Sequence, residues 1–317
     1  MSRGKTVFKK GYGLASLETA EKVGSGTVFN IASLTKQFTA MAIRQLVAEN
    51  KCTLEDSIGK FLPNLPHQIG SQVQLRHLLS HGSGIPDHYT KANTQGRKHA
   101  NDRDVLAAVR ESDSLLFTPG TRFRYSNTAF CLLSLVIEKI SGTPYPVYLQ
   151  QKVLQPAGMQ KSYIWQPGLQ GKKMATGYDH PNEAGDSLQW IPSGPDQHIF
   201  FSTEGDGGLC TTVDDYVKWM QYWQTRLPLP VIQNDISGRA GYGSGWFIDK
   251  GAGSTRYYHS GSNGGFRSYC FLVPGEEFGL VLFSNRSDRN IEALAAALLN
   301  ILRPEAPPLY PIQALTN

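Results

Sequence analysis

The feature that most constrains the fold is the placement of the strand-like segments, which lie at the two ends of this 317-residue chain. From residue 240 onward, four short segments are rich in β-branched and aromatic residues and bounded by glycine: GYGSGWFID, TRYYHS, SYCFLV and FGLVLFSN. Pro274-Gly275, between the last two, indicates a hairpin. Residues 6–13 and 26–32 have the same character near the N-terminus. The two ends therefore predict one shared antiparallel sheet.

The middle of the chain has helical patterns separated by loops rich in proline and glycine. Residues 128–140 predict the clearest helix, and a further helix is predicted after Thr212. Residues 290–303 predict a helix that closes the chain. Helices in the middle and strands at the ends suggest a domain interrupted by an insertion.

We therefore predict an α+β fold, an antiparallel sheet flanked by helices with a mostly helical inserted domain. Residues 1–56 and 238–317 would form the sheet domain, and residues 57–237 the helical one. An active site is expected between the two domains.

Composition excludes several classes of function. The net charge is +5 and no block of Lys and Arg occurs, so a nucleic-acid partner is not expected. No run of about 18 apolar residues occurs, so no membrane span is predicted. The first residues, MSRGKTVFKKGYG, contain no apolar signal-peptide core, which predicts a cytoplasmic protein as the chain stands, or an exported one if it is truncated.

Neither a metal nor an organic cofactor is expected. The four cysteines are widely separated and are predicted to be half-buried free thiols. His77 and His81 are four residues apart, which could place both on one helix face, but no HExxH motif accompanies them. We interpret both histidines as structural.

A serine and a lysine three residues apart are the first candidates for chemistry. Residues 31–43, IASLTKQFTAMAI, predict an amphipathic helix with Ser33 at its start and Lys36 one turn further on. This spacing places both side chains on one helix face. A serine hydroxyl is a poor nucleophile at neutral pH, and a neighbouring lysine with a lowered pKa can act as its base. A second SxxK, Ser57 to Lys60, lies in a segment broken by glycine and proline and is interpreted as a decoy.

Two further motifs follow in the chain. Tyr125-Ser126-Asn127 lies between a turn signal and the predicted helix. A tyrosine can relay protons and an asparagine can bind a substrate amide, although an asparagine at this position can also simply cap a helix. His259-Ser260-Gly261 ends a predicted strand, where backbone N–H groups can line a substrate. Lys9-Lys10-Gly11 has the form KxG, similar to this third motif, but it precedes Ser33 in the chain.

The ordered set of SxxK, YxN and HxG resembles the serine β-lactamase and penicillin-binding protein superfamily. The YSN form is similar to the class C β-lactamases and their relatives, which include D-alanyl-D-alanine carboxypeptidases, D-aminopeptidases and β-lactamase-like esterases. Further segments resemble the same group: HLLSHGSGIPD, FTPGTRFRYSN, GDGGLCTTVDDYVKWM and HSGSNGGF. The resemblance covers nearly the whole chain and implies a β-lactamase/transpeptidase-like fold.

The resemblance implies a role for each motif residue. Ser33 would be the acylated nucleophile, Lys36 its base, and Tyr125 a partner in proton transfer. The remaining set would bind substrate: Asn127 the substrate amide, His259 and Gly261 the strand-side contact, and Ser262, with Ser33, the oxyanion through backbone N–H groups.

Two departures from the family pattern modify these expectations. His259 replaces a lysine that helps bind a carboxylate, so carboxylate binding should be weaker or pH-dependent. Relatives also begin with a helix and one more strand, and Gly4-Lys5 resembles the turn after that strand. An uncovered sheet edge would favour self-association, so a homo-oligomer is a possible partner state.

The sequence leaves three functions open. The first is a serine hydrolase acting on small substrates or short peptides, most of all D-amino-acid peptides or esters. The second is a promiscuous carboxylesterase or weak β-lactamase; because no GxSxG occurs, such an esterase would also use the SxxK serine. The third is a penicillin-binding sensor that acylates without turnover.

Overall fold

The computed structural model describes residues 1–88, 96–112, 114–169, 173–180, 190–226, 234–235, 240–250 and 253–304. Its helices are α1 (Lys36–Ala48), α2 (His67–Gln72), α3 (Leu75–Leu79), α4 (Asp102–Arg110), α5 (Asn127–Ser141), α6 (Tyr145–Leu149), α7 (Val213–Gln224) and α8 (Ile291–Leu302). Its strands are β1 (Leu14–Ser16), β2 (Glu21–Lys22), β3 (Phe29–Asn30), β4 (Tyr163–Ile164), β5 (Tyr178–Asp179), β6 (Ile191–Pro192), β7 (Leu209–Thr211), β8 (Asn234–Asp235), β9 (Ala240–Gly243), β10 (Trp246–Asp249), β11 (Arg256–Asn263), β12 (Phe266–Val273) and β13 (Phe278–Ser284). The predicted α+β class with an antiparallel sheet is confirmed, but the expectation of one sheet shared by both ends is wrong, because among the described residues the main sheet consists of the C-terminal strands β8–β13.

The main sheet is antiparallel and is built from the C-terminal part of the chain. Its order is β13-β12-β11-β10-β9-β8, so each strand lies beside its neighbour in sequence. Pro274-Gly275 begins the connection from β12 to β13, as predicted. The segment GYGSGWFID is a tight hairpin, because Ser244 and Gly245 both adopt positive φ between β9 and β10.

A smaller sheet joins the N-terminal part to the middle of the chain. Its order is β3-β7-β4, with Asn30 opposite Cys210 and Tyr163 opposite the same cysteine. This pairing brings the segment just before Ser33 against the segment just after Asp206. The division at residues 56 and 238 stays a prediction.

Helix α1 is the central helix of the core and carries the SxxK lysine. Its side chains from Lys36 to Arg44 are all buried, and it packs against α5. Phe38 stacks on Trp219 of α7 with ring centroids 4.0 Å apart. Burying a large apolar side chain of this kind contributes about 1.5–3 kcal/mol. The packing therefore fixes the position of the helix start.

The predicted strand over residues 6–13 is wrong. These residues pair with no strand in the part of the chain that the structure describes, and Val7, Phe8 and Tyr12 are each about 70% exposed. Residues with high β-propensity form a strand only where a neighbouring strand and a packed face are present. The predicted strand over residues 26–32 is shorter than expected and comprises only β3.

The turn expected at Gly4-Lys5 is present. Ser2 pairs with Lys5 across Arg3 and Gly4, which both have positive φ. Before the turn, Met1 exchanges two backbone hydrogen bonds with Gly279 of β13, at 2.9 and 3.0 Å. Self-association through this sheet edge stays a prediction.

The helical predictions agree with the structure. Helix α5 covers residues 128–140 and ends at Gly142, which has φ +67°. Helix α7 begins after Thr212, whose side chain caps it, and α8 lies within residues 290–303. No helix among the described residues has both the length and the apolar character needed to cross a bilayer.

The four cysteines form no disulfide, and all are fully buried rather than half-buried. Cys131, Cys210 and Cys270 lie on α5, β7 and β12, whose inner faces form the core. A thiol is small and weakly polar, so it packs there like an apolar side chain.

Candidate active site

Ser33 and Lys36 are in hydrogen-bond contact, as their spacing predicts. Lys36 Nζ lies 2.9 Å from Ser33 Oγ, 2.9 Å from Asn127 Oδ1 and 2.9 Å from the carbonyl oxygen of Asp206. The lysine side chain has no exposed surface. An amide oxygen and a carbonyl oxygen can only accept, so two N–H groups of the amine are committed to them. In a neutral amine, the lone pair would then face the serine hydroxyl.

Ser33 does not start an α-helix directly. It lies in a 3₁₀ turn, Ala32–Thr35, which leads into α1. Ala32 has φ +49°, a left-handed conformation that a non-glycine residue adopts only when it is held there. Asn30 supplies that restraint, because its Oδ1 accepts the Ala32 N–H at 3.0 Å and its Nδ2 donates to Gly207 O at 3.0 Å. Asn30 was not recognised from the sequence.

The glycine of the HxG motif allows strand β11 to approach the serine turn. A side chain at Gly261 would place its Cβ 2.5 Å from the Ile31 carbonyl oxygen and 3.1 Å from Ala32 Cβ. A Cβ cannot lie 2.5 Å from a backbone oxygen, so this position needs glycine for space rather than for an unusual φ. Ser262, one residue further along β11, is exposed. The roles of Gly261 and Ser262 in binding substrate stay predictions.

The YSN motif places Tyr125 and Asn127 beside the lysine. Ser126, not Asn127, caps α5, since its Oγ accepts the Ala129 N–H at 3.3 Å. Asn127 is thereby free to bind Lys36. The Tyr125 ring centroid is 5.1 Å from Lys36 Nζ, and its buried hydroxyl has no hydrogen-bond partner among the described residues.

Asp87, at the end of HLLSHGSGIPD, supports the same helix start. Its carboxylate accepts the Thr128 N–H at 3.2 Å, the Thr128 hydroxyl at 2.6 Å and the Asn127 N–H at 3.4 Å. A carboxylate at a helix N-terminus satisfies free N–H groups and interacts favourably with the helix dipole. Asp87 lies 40 residues away in sequence, so no local pattern predicts this contact.

His259 is buried and neutral. Its Nδ1 lies 2.6 Å from the Ser260 carbonyl oxygen, so Nδ1 carries the proton, and Nε2 accepts from the Tyr242 hydroxyl at 3.0 Å. Burial, together with the charge of Lys36, lowers the pKa of His259 to about 3. Of the two sequence expectations, this geometry favours weak carboxylate binding over binding that depends on pH near neutrality.

A buried acidic cluster holds the carbonyl that binds Lys36. The Asp102 carboxylate accepts the N–H groups of Glu204 and Gly205, at 3.0 and 3.1 Å, and thereby fixes the turn that precedes Asp206. Burial and the neighbouring Asp206 raise the pKa of Asp102 to about 7. The sequence patterns gave no indication of this cluster, because its members are far apart in the chain.

Asp102, Cys131 and Asp206 bring possible metal-ligand atoms within 4.8 Å of one another. However, Cys131 Sγ lies 3.5 Å from Asp206 Oδ1 as a donor, and burial raises the pKa of this thiol well above its ordinary value. The thiol acts here as a hydrogen-bond donor to Asp206. The cluster supports Lys36 by fixing the turn before Asp206, whose carbonyl oxygen binds the amine.

The decoy motifs lie outside this constellation. Ser57 is extended and pairs with Gln74, and Lys60 Nζ forms an exposed ion pair with Asp56 at 2.9 Å. Lys9 forms an ion pair with Asp214 at 2.6 Å.

His77 and His81 do not share a helix face, because α3 ends at Leu79. His77 has the structural role expected, since its Nδ1 accepts the Gln74 N–H at 3.1 Å. His81 instead packs against Tyr125, with ring centroids 4.2 Å apart. His81, like Asn30, was not recognised from the sequence as a residue of this site.

This fold, with a serine and a lysine at the start of its central helix, is that of the β-lactamases and penicillin-binding proteins. The chain belongs to the Beta-lactamase family, whose model matches residues 1–302.

Relatives of known sequence and structure agree with this assignment. The chain is 26% identical to Protein flp of Staphylococcus aureus (strain MW2) over 94% of its own length, but it spans only 61% of that relative. The octameric penicillin-binding protein homologue from Pyrococcus abyssi matches with a TM-score of 0.81 and 29% identity, covering 95% of this chain and 71% of that one. The penicillin-binding protein from Bacillus halodurans matches with a TM-score of 0.76 and 28% identity, covering 90% and 89%.

Proposed function

We propose that this protein is a serine hydrolase that forms an acyl-enzyme on Ser33 and cleaves amide or ester bonds of small substrates. D-amino-acid peptides or esters fit the motif set best. The observation that carries the proposal is the contact of Lys36 Nζ with Ser33 Oγ, while the other two contacts of the amine are acceptors only. When the amine is deprotonated, its lone pair faces Ser33 Oγ in this arrangement and can take the serine proton.

The chemistry would proceed in two halves. Ser33 Oγ attacks the substrate carbonyl as its proton passes to Lys36, and the negative charge develops on the carbonyl oxygen. Collapse of this intermediate breaks the scissile bond, and the leaving group takes a proton from Lys36, directly or through Tyr125. Water then attacks the acyl-enzyme by the reverse proton path and releases the acid.

Steady-state release of p-nitrophenol from p-nitrophenyl butyrate tests whether the acyl-enzyme turns over. A hydrolase releases many equivalents per protein molecule. A burst that stops at one equivalent would contradict the hydrolase proposal and favour a penicillin-binding sensor. The relatives named penicillin-binding proteins make a fluorescent penicillin the matching probe of acylation.

Replacing Tyr125 by phenylalanine should separate catalysis from stability. The Tyr125 hydroxyl is buried with no partner among the described residues, so its removal breaks no hydrogen bond and should change stability by less than about 0.5 kcal/mol. Loss of a proton-transfer group should lower kcat by ~10²–10⁴. Thermal unfolding and ester turnover measure the two effects.

Tyr148→Phe is the matched control for this variant, because its hydroxyl is also buried without a described partner. Tyr148 lies on α6, outside the motif set, so its variant should keep wild-type turnover. A loss of turnover equal to that of Tyr125→Phe would contradict the role of Tyr125.

The neutral state of His259 predicts a preference for substrates without a free carboxylate. A D-alanyl peptide amide should be cleaved faster than the same peptide with a C-terminal carboxylate. Since the pKa of His259 is about 3, acidification from about pH 8 to 5 does not charge the ring, and the ratio of the two kcat/KM values should stay constant. A ratio that shifts towards the carboxylate substrate at low pH would contradict this.

His259→Lys should raise kcat/KM for the carboxylate substrate by about tenfold, which corresponds to ~1.4 kcal/mol. The exposed His67→Lys is its control, because it adds the same charge on the surface at the start of α2.

A further inference from the structure

His81 is held in an unusual conformation beside the proposed active site. It is fully buried, and its φ of +54° lies in the left-handed region, which a non-glycine residue rarely adopts. Strain of this kind persists only where surrounding contacts hold the residue. The His81 N–H donates to the Leu78 carbonyl oxygen at 3.3 Å, and its other hydrogen bonds and its ring contacts are made to the segment that carries Tyr125 or to rings around it.

His81 accepts two hydrogen bonds that fix the backbone on both sides of Tyr125. The His81 carbonyl oxygen accepts the Arg124 N–H at 2.8 Å. Its side-chain Nδ1 accepts the Ser126 N–H at 3.1 Å. Tyr125 lies between the two donors, so its backbone cannot rotate without breaking one of them.

The imidazole also packs against the tyrosine ring itself. The ring centroids of His81 and Tyr125 are 4.2 Å apart, and Tyr242, which binds His259, lies 4.3 Å from His81 on centroids. Phe130 of α5 packs on the same imidazole at 5.2 Å. The His81 side chain therefore contacts both Tyr125 of the YSN motif and Tyr242, which hydrogen-bonds to the histidine of the HxG motif.

His81 is neutral, which leaves its Nδ1 able to accept the Ser126 N–H. An Nδ1 that accepts a backbone N–H carries no proton, so the neutral ring is protonated at Nε2. Burial, together with the charge of Lys36, lowers the pKa of His81 well below its ordinary value. Protonation at Nδ1 would destroy the contact with Ser126, and the buried site prevents it near neutral pH.

We propose that His81 is a positioning residue for the reaction, one that sets the orientation of Tyr125 and the start of α5, from which Asn127 reaches Lys36. The expected effect on kcat rests on the proposed function, whereas the expected effect on the orientation of Tyr125 does not. His81 itself touches no reacting atom; it acts through Tyr125.

Two substitutions test whether the hydrogen-bond acceptor of His81, rather than the rest of its side chain, positions Tyr125. His81→Asn places an oxygen where Nδ1 lies and tolerates a left-handed φ, so it should keep the Ser126 contact and turn over within about threefold of wild type. His81→Leu has no acceptor and should lower kcat by about tenfold to a hundredfold, with KM changed by less than about threefold.

The matched control is His77→Asn. His77 is also buried and also accepts a backbone N–H at Nδ1, but that N–H belongs to Gln74 at the start of α3. It should leave kcat unchanged.

A readout independent of activity is the ¹⁹F resonance of 3-fluorotyrosine placed at Tyr125. His81→Leu should shift and broaden this resonance, His81→Asn should leave it near its wild-type position, and His77→Asn should not move it. An unchanged resonance in His81→Leu, or a kcat loss in His81→Asn as large as in His81→Leu, would overturn the proposal. If the wild-type protein forms no acyl-enzyme, the proposed function fails, while the fluorotyrosine shift still decides the role of His81.

Discussion

Ser33→Ala is expected to abolish turnover, lowering ester hydrolysis by more than about 10³-fold. The reason is that Lys36 Nζ contacts no other nucleophile among the described residues. Among the described residues, Lys36 is the one side chain that hydrogen-bonds to the serine hydroxyl, so removal of the hydroxyl should change stability by less than about 1 kcal/mol. Loss of activity in a protein that unfolds at the wild-type temperature would therefore report chemistry and not folding.

Ser57→Ala is the control for this variant, since Ser57 and Lys60 repeat the same spacing at a site where the lysine is paired with Asp56. It should keep wild-type turnover. A large loss in Ser57→Ala with normal activity in Ser33→Ala would mean that the second SxxK is the functional one.

Lys36→Met is expected to lower kcat by ~10²–10⁴, because it removes the base that receives the serine proton. Methionine matches lysine in length but cannot donate, so Asn127 Oδ1 and the Asp206 carbonyl oxygen lose a buried partner. Each unsatisfied group costs about 1–3 kcal/mol, so this variant should also be less stable. Turnover and denaturant unfolding should both be measured.

Lys36→Arg tests whether the residue at position 36 acts as a base or only as a positive charge. Arginine keeps the charge and the donors, but it is not deprotonated in proteins and cannot act as a base. It should therefore be nearly as inactive as Lys36→Met. Recovery of wild-type turnover in Lys36→Arg would show that the residue at position 36 acts only as a cation.

The sequence was sufficient to predict the elements whose patterns are local. Helix α5 and the hairpin between β12 and β13 follow from apolar periodicity and from Pro-Gly punctuation. The motif residues Ser33 and Lys36 could be paired because three residues span less than one helical turn. The contact of Asn127 with Lys36 was not predicted, because 91 residues separate the two and family resemblance implied only that Asn127 binds a substrate amide.

Residues that act by supporting the motifs could not be predicted. Asn30 and Asp102 hold backbone groups of distant segments, and neither residue belongs to a motif. His81 was interpreted only as one half of a histidine pair, because its contact with Tyr125 depends on a left-handed backbone after α3. The error over residues 6–13 has a related cause, because strand propensity does not reveal whether a partner strand exists.

Intact-protein mass spectrometry over time can identify the residue that is acylated. The protein is mixed with a fluorescent penicillin and, separately, with p-nitrophenyl butyrate, and the adduct is mapped by peptide digestion. If Ser33 is the nucleophile, one acyl adduct per chain forms on Ser33 and is absent from Ser33→Ala, and the adduct from the ester decays as p-nitrophenol is released. An adduct on any other residue, or ester turnover without an adduct on Ser33, would contradict the assignment of Ser33.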